Sequence, residues 1–194
     1  MISVKAVTLG ESGVGKTSLV KKYVECSFND KLPSTVGADI SIKNMDFDGI
    51  KLQLTVWDTA GQEVFRSLVE QYLRDASLAL IVFSLSDRKS FECARDYWIN
   101  YLLEKRPDII MIIVGNKLDL NREVSEDEGN GLAAQYKTEY FETSALQGTG
   151  VDEAFEVLAR KYVNTLNTPV PNNDNKGVDL NSETRSKTDD EGCC

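Results

Sequence analysis

Histidine is absent from the 194 residues, so no imidazole can act as base, nucleophile or metal ligand. Positive charge is in short supply: 22 basic residues stand against 31 acidic ones, a net charge of −9. No basic stripe runs through the chain to track phosphates, which argues against nucleic acid as a partner. Cysteine is scarce, with four residues at 26, 93, 193 and 194. No pair has zinc spacing and nothing suggests a disulfide framework, so a reducing compartment is expected. Cys26 and Cys93 read as small apolar residues. The first residues do not read as a secretory leader, and none is expected. Long hydrophobic runs are also missing. The longest, 78–83 and 109–114, are far too short to cross a bilayer and suit buried strands.

What remains is the composition of a soluble globular protein, 41% hydrophobic and 27% charged. The length fits one domain with some spare chain. The chain is organised around residues 10–17, Gly-Glu-Ser-Gly-Val-Gly-Lys-Thr, a G-x-x-x-x-G-K-T phosphate loop. Glycines there let successive backbone N–H groups point into one concavity. Lys16 can reach phosphate oxygens as a point charge, and the Thr17 hydroxyl can ligate Mg²⁺. Residues 2–9 read as the strand before the loop and 17–25 as the helix after it, whose N-terminus attracts an anion.

Further on, strands are expected at 38–46 and 50–57, joined by an Asp48-Gly49 hairpin turn that favours positive φ at both positions. A loop and short helix to about residue 75 lead to a strand at 77–85. Phe91, Ala94, Tyr97, Trp98 and Tyr101 recur at helical spacing within 90–105. A buried strand at 109–114 follows. Ser125 and Glu128 form a capping-box signature for a helix to about 136. A short strand at 139–143 and an amphipathic helix at 151–166 close the domain. This alternation predicts an α/β fold of three layers. Its six-stranded sheet is mostly parallel, with one antiparallel edge strand and helices on both faces. Residues 1–166 form the folded domain in this reading. Residues 167–194 are polar, hold three basic against six acidic residues, and are expected to be disordered.

Two further motifs sharpen the chemistry. Asp58-Thr59-Ala60-Gly61 is D-x-x-G at a strand end, where Asp58 can hold Mg²⁺, most simply through water, and the Gly61 N–H can bond a γ-phosphate. Asn116-Lys117-x-Asp119 follows a buried strand. Asp119 can accept from guanine N1–H and N2–H₂, a donor pair that adenine lacks. Asn116 can bond the base or tie loops together, and the Lys117 stem can cover one base face. A backbone N–H of Ser144-Ala145 can reach guanine O6, and Phe28 can pack on the base or anchor its loop in the core.

The phosphate loop, Thr35, D-x-x-G, N-K-x-D and Ser144-Ala145 occur in this order, and together they resemble the Ras superfamily of small GTPases. Trp57-Asp-Thr-Ala-Gly-Gln-Glu63, Phe65-Arg-Ser67, Glu142-Thr-Ser-Ala145 and the terminal Cys193-Cys194 are similar to the Rab branch. The resemblance implies GTP and GDP binding with Mg²⁺ and slow hydrolysis. It implies nucleotide contacts from Gly13, Val14, Gly15, Lys16, Thr17, Ser18, Phe28, Thr35, Gly61, Asn116, Lys117, Asp119, Ser144 and Ala145. Metal contacts would come from Thr17, Thr35 and Asp58, and catalytic roles would fall to Lys16 and to Gln62 as the residue orienting water. Loops around 32–40 and 61–76 would be ordered by the γ-phosphate.

Ile40, Trp57 and Tyr72 would form an effector surface, and Cys193 and Cys194 would carry geranylgeranyl groups. The implied partners are an exchange factor, a GTPase-activating protein, effectors, and the Rab escort protein and GDP-dissociation inhibitor. The implied setting is the cytoplasmic face of an intracellular membrane in vesicle traffic, with a cytosolic pool, and a monomer is expected. The chain departs from the Rab pattern at Ile40, Val64, Asp75 and Leu146. A module that holds nucleotide without cycling is the alternative, although intact Lys16, Thr17, Thr35 and Gln62 speak against it. A small-metabolite kinase would have no use for N-K-x-D.

Overall fold

The computed structural model describes residues 1–29, 33–60 and 66–167. Six strands form one sheet: β1 (Ile2–Leu9), β2 (Ala38–Phe47), β3 (Ile50–Thr59), β4 (Leu78–Ser84), β5 (Ile110–Asn116) and β6 (Tyr140–Glu142). Their order is β2-β3-β1-β4-β5-β6. Among the described residues, only β2 runs antiparallel, against β3. The other pairings are parallel. The hairpin between β2 and β3 turns on Asp48 and Gly49, with φ of 54° and 90°. The helices are α1 (Lys16–Glu25), α2 (Arg66–Leu73), α3 (Arg88–Cys93), α4 (Ile99–Lys105), α5 (Glu126–Gln135) and α6 (Val151–Asn167). The α/β architecture expected from the alternation is the one found.

Strand alternation divides the core into two layers. Val4, Ala6, Leu80, Val82, Ile112 and Val114 face α1 and α6, where Leu19, Tyr23, Phe155 and Leu158 cover them. Val7, Leu9, Ala79, Ile81, Phe83 and Ile113 face the opposite side, beneath Val69, Leu73, Trp98, Leu102 and Leu132. Each β4 side chain is therefore buried, whichever face it occupies. That is why 78–84 reads as a continuous apolar run.

Two details depart from the sequence reading. The helix expected over 90–105 starts at Arg88 and is interrupted between α3 and α4 by a π-helical turn, Ala94–Trp98. Its start is capped by Asp87, whose side chain accepts from the N–H groups of Lys89 and Ser90. Cys26 is exposed and closes α1 in the left-handed region at φ 56°, so it is no core residue. The capping box at Ser125 and Glu128 forms in full.

One glycine has a packing role that its helix would otherwise oppose. An ideal Cβ on Gly129 in α5 would lie 2.2–2.7 Å from the Tyr140 ring. That ring stacks on Phe83, and its hydroxyl donates to Glu142 Oε1 at 2.9 Å, so it cannot swing away cheaply. Gly129→Ala is expected to lower stability by roughly 2 kcal/mol, although alanine is the better helix former by about 1 kcal/mol. Urea unfolding checks the sign, and a stabilised variant would contradict this packing.

Candidate functional site

In a sheet of this order, chain connections leave β1 and its neighbours in opposite directions, which opens a crevice at the carboxyl ends of the strands. The segments after β1, β3, β5 and β6 all lie there. They contribute to a cavity of about 600 Å³. Gly13, Gly15, Lys16, Thr17, Ser18, Phe28, Thr35, Asn116, Lys117, Asp119 and Ala145 line it. Val14, Asp58 and Ser144 are buried immediately behind. Gly61 and Gln62 lie outside the described residues, as do Cys193 and Cys194.

Backbone constraints shape the phosphate loop. Gly10 has φ 144°, and a Cβ there would stand 2.0 Å from the Val82 carbonyl oxygen. Gly15 has φ 95°, and a Cβ would stand 2.3 Å from Asn116 Nδ2. Neither position accepts a side chain without displacing β4 or the Asn116 amide. Lys16 is buried and curls back, with Nζ donating to the carbonyls of Gly10 and Glu11 at 2.8 Å each. Burial pulls its pKa down to about 8, against the opposing pull of Asp58 and Glu11.

Thr17, Thr35 and Asp58 converge behind Lys16. The Thr17 hydroxyl donates to Asp58 Oδ2 at 2.6 Å and sits 2.7 Å from the Thr35 hydroxyl. Thr8 in β1 donates to Asp58 Oδ1 at 3.1 Å. Burial raises the Asp58 pKa, while the hydrogen bond from Thr17 and the charge of Lys16 oppose that shift. The set offers oxygen donors only, the chemistry a hard cation such as Mg²⁺ requires. The segment carrying Thr35 is tied to the end of β3 by one backbone bond, Ala60 N–H to the Gly37 carbonyl at 2.8 Å.

At the other end of the cavity, Asn116 works as a tie between loops. Its Nδ2 donates to the Val14 carbonyl at 2.9 Å. Its Oδ1 accepts from Thr143 Oγ1 at 3.1 Å and from the Ala145 N–H at 3.3 Å. The Ser144 hydroxyl donates to Asp119 Oδ1. A carboxylate has about four lone-pair sites, so this bond leaves acceptor capacity at Asp119. The Ser144 N–H is taken up by the Thr149 carbonyl at 3.0 Å. The longer Ala145 bond therefore leaves its N–H the better able to be shared with a further acceptor.

On the outer face of the β2–β3 hairpin, Ile40 pairs in register with Trp57, and the Trp57 and Tyr72 rings lie 5.8 Å apart. The three residues share one surface, with the Lys5 ammonium 4.1 Å above the Trp57 ring. Leu146 lines the cavity and is half exposed. Two residues that the sequence motifs leave unspecified also support the site. Thr8 looks like an ordinary strand position, although a hydroxyl inside a buried strand was a usable signal. Glu11 looks like a variable position of the phosphate loop, yet its carboxylate accepts from Cys93 Sγ at 2.9 Å and Trp98 Nε1 at 3.1 Å. Cys93 is thus a hydrogen-bond donor as well as a small apolar residue.

The model of the Ras family matches residues 5–164. The chain is 38% identical to the Ras-related protein Rab-8B of Homo sapiens over 176 residues, which is 90% of this chain and 85% of the relative. Rab-8B of Pongo abelii matches with the same identity and coverage. Rab-8A of Gallus gallus is 36% identical over 190 residues, or 95% of this chain and 92% of that protein.

Proposed function

The chain belongs to the Ras family as a Rab-type small GTPase, and from that premise we propose how its switch is loaded, reset and anchored. It binds guanine nucleotide, hydrolyses GTP to GDP and phosphate, and acts as a switch in vesicle traffic. The observation that supports the residue assignments is the opening of three motifs onto a single cavity: phosphate loop, hydroxyl–carboxylate cluster and Asn116–Asp119 loop.

In the proposed loaded state, the N–H groups of 13–18 receive the polyphosphate and Lys16 releases its carbonyl partners to it. Thr17, Thr35 and Asp58 would hold Mg²⁺, which supplies positive charge to the phosphate oxygens. Asp119 and the Ala145 N–H read the guanine edge, while Phe28 and the Lys117 stem flank the base. A γ-phosphate and its Mg²⁺ would give Thr35 partners beyond the Thr17 hydroxyl, so the segment from 33 to 37 tightens with GTP and loosens with GDP. Gln62 orients the attacking water.

Among the described residues, no arginine lines the cavity. The intrinsic rate is therefore low, and a GTPase-activating protein adds the missing charge. In a single-turnover assay with Mg²⁺, the wild type should hydrolyse GTP at about 10⁻⁴ to 10⁻³ s⁻¹. Gln62→Leu should be slower by roughly tenfold or more, at unchanged GTP affinity. Hydrolysis unaffected by that change would remove Gln62 from the reaction.

The domain boundary is proposed near residue 167, where α6 ends. The polar tail beyond it carries Cys193 and Cys194 as sites for two geranylgeranyl chains. One chain gives only marginal membrane binding, and an acidic tail gains nothing from anionic lipids, so both are needed. The protein then divides between the cytoplasmic face of an intracellular membrane and the cytosol, where an escort protein or GDP-dissociation inhibitor covers the lipids. Ile40, Trp57 and Tyr72 face effectors as part of a monomer. On fractionation of cells, the full chain should sediment with membranes and the Cys193→Ser, Cys194→Ser double variant should stay soluble. Membrane association of that variant would contradict the anchor.

A further inference from the structure

We propose that Glu11 is a positioning residue that tethers the phosphate loop to the Trp98 indole, and that this tether sets how slowly bound nucleotide leaves. The inference rests on the reading of the cavity as a guanine-nucleotide site.

Residue 11 is held from two sides. Its backbone carbonyl accepts from Lys16 Nζ at 2.8 Å. Its carboxylate oxygen Oε1 accepts both from Trp98 Nε1 at 3.1 Å and from Cys93 Sγ at 2.9 Å. The two donors are five residues apart. On a regular α-helix such residues point about 140° away from each other and cannot both reach one oxygen. Here the π-helical turn Ala94–Trp98 intervenes, with the Ile99 N–H bonding the Ala94 carbonyl. Bonding across five residues brings positions 93 and 98 to the same side. The irregular turn and the tether thus have one explanation: the helix is rewound where it meets the phosphate loop.

The platform is rigid. Trp98 is 1% exposed and packs in the layer containing Phe91, Ile99 and Leu102. A buried indole N–H needs an acceptor, and an ionised one makes the stronger bond. On the other side, Gly10 cannot recede, because β4 lies against it. Residue 11 is therefore clamped between a packed helix and the lysine that must meet the phosphates. Loss of the clamp frees the Glu11 carbonyl and with it the resting place of Lys16.

The test is the dissociation rate of fluorescently labelled GDP from the full chain with Mg²⁺. Glu11→Ala and Trp98→Phe should each raise the rate roughly tenfold, since each removes a hydrogen bond to a charged group. Trp98→Phe keeps an aromatic ring in the core and guards against simple unfolding of the alanine variant. The double variant should be no faster than the faster single one, because Glu11→Ala already breaks the bond that Trp98→Phe removes. Glu11→Gln keeps the acceptor oxygen and should stay within about twofold of wild type. The preference for guanine over adenine should be the same in all four. Single variants within twofold of wild type would overturn the inference. So would rates that multiply in the double variant, or a glutamine variant as fast as the alanine one. A wild type that does not retain GDP would instead fail the nucleotide reading itself.

Discussion

Asp119→Asn should lower the preference for GTP over ATP by roughly 10⁴-fold, because a site built to pair a donor edge loses most against the wrong partner. The local geometry sets the direction of the change. The Ser144 hydroxyl donates to Asp119 Oδ1, so in the variant the amide oxygen keeps that bond and the NH₂ group turns to the base. A donor then meets guanine N1–H and N2–H₂, and both sides are left unpaired. A purine with a carbonyl at that position, as in xanthine, presents an acceptor to the new NH₂ and should gain affinity. Competition among GTP, ATP and XTP measures all three. The fold should be unaffected, since the bond to Ser144 survives. Retained guanine preference in the variant would take Asp119 out of base recognition.

Lys16→Met should weaken nucleotide binding by about a thousandfold, equivalent to about 4 kcal/mol. The methionine stem fills the buried channel, so packing is nearly kept. What disappears is one ammonium with three donors. In the structure those donors serve the carbonyls of Gly10 and Glu11. In the loaded protein they would serve phosphate oxygens, as charge-assisted bonds in a site that is largely shielded from water. Two such bonds at about 1.5–3 kcal/mol each account for the size of the effect. Equilibrium binding of GDP with Mg²⁺ checks it. A loss of less than tenfold would mean that the backbone N–H groups carry the phosphates without the lysine.

Local chemistry made much of this legible. The glycine spacing of 10–15, the Asp48-Gly49 turn and the Ser125–Glu128 capping box are each decided by residues adjacent in sequence, and each forms as read. The strands at 78–84 and 110–116 are apolar runs with a single stable placement, the sheet centre. What escaped is decided at long range. Phe91, Ala94, Tyr97, Trp98 and Tyr101 fit a continuous α-helix, whereas the helix carries a π turn where Cys93 and Trp98 both donate to the carboxylate of residue 11. Thr8 gains its meaning from Asp58, a partner fifty residues away. By residue type Asn116 can bond a base or tie loops, and its side chain makes three bonds to the loops. Cys26 reads as a small apolar residue, and the position it takes, a left-handed helix end, leaves it exposed.

Conditional ordering of the 33–37 segment is the premise of the switch. Thr35 is held by the Thr17 hydroxyl, and the segment by the bond from Ala60 to Gly37. Amide hydrogen exchange, compared with GDP and with a non-hydrolysable GTP analogue bound, addresses it directly. The amides of Thr35, Val36 and Gly37 should exchange at least about tenfold more slowly with the triphosphate. Equal exchange in the two states would mean that the γ-phosphate does not order this segment, and the switch would have no moving part there.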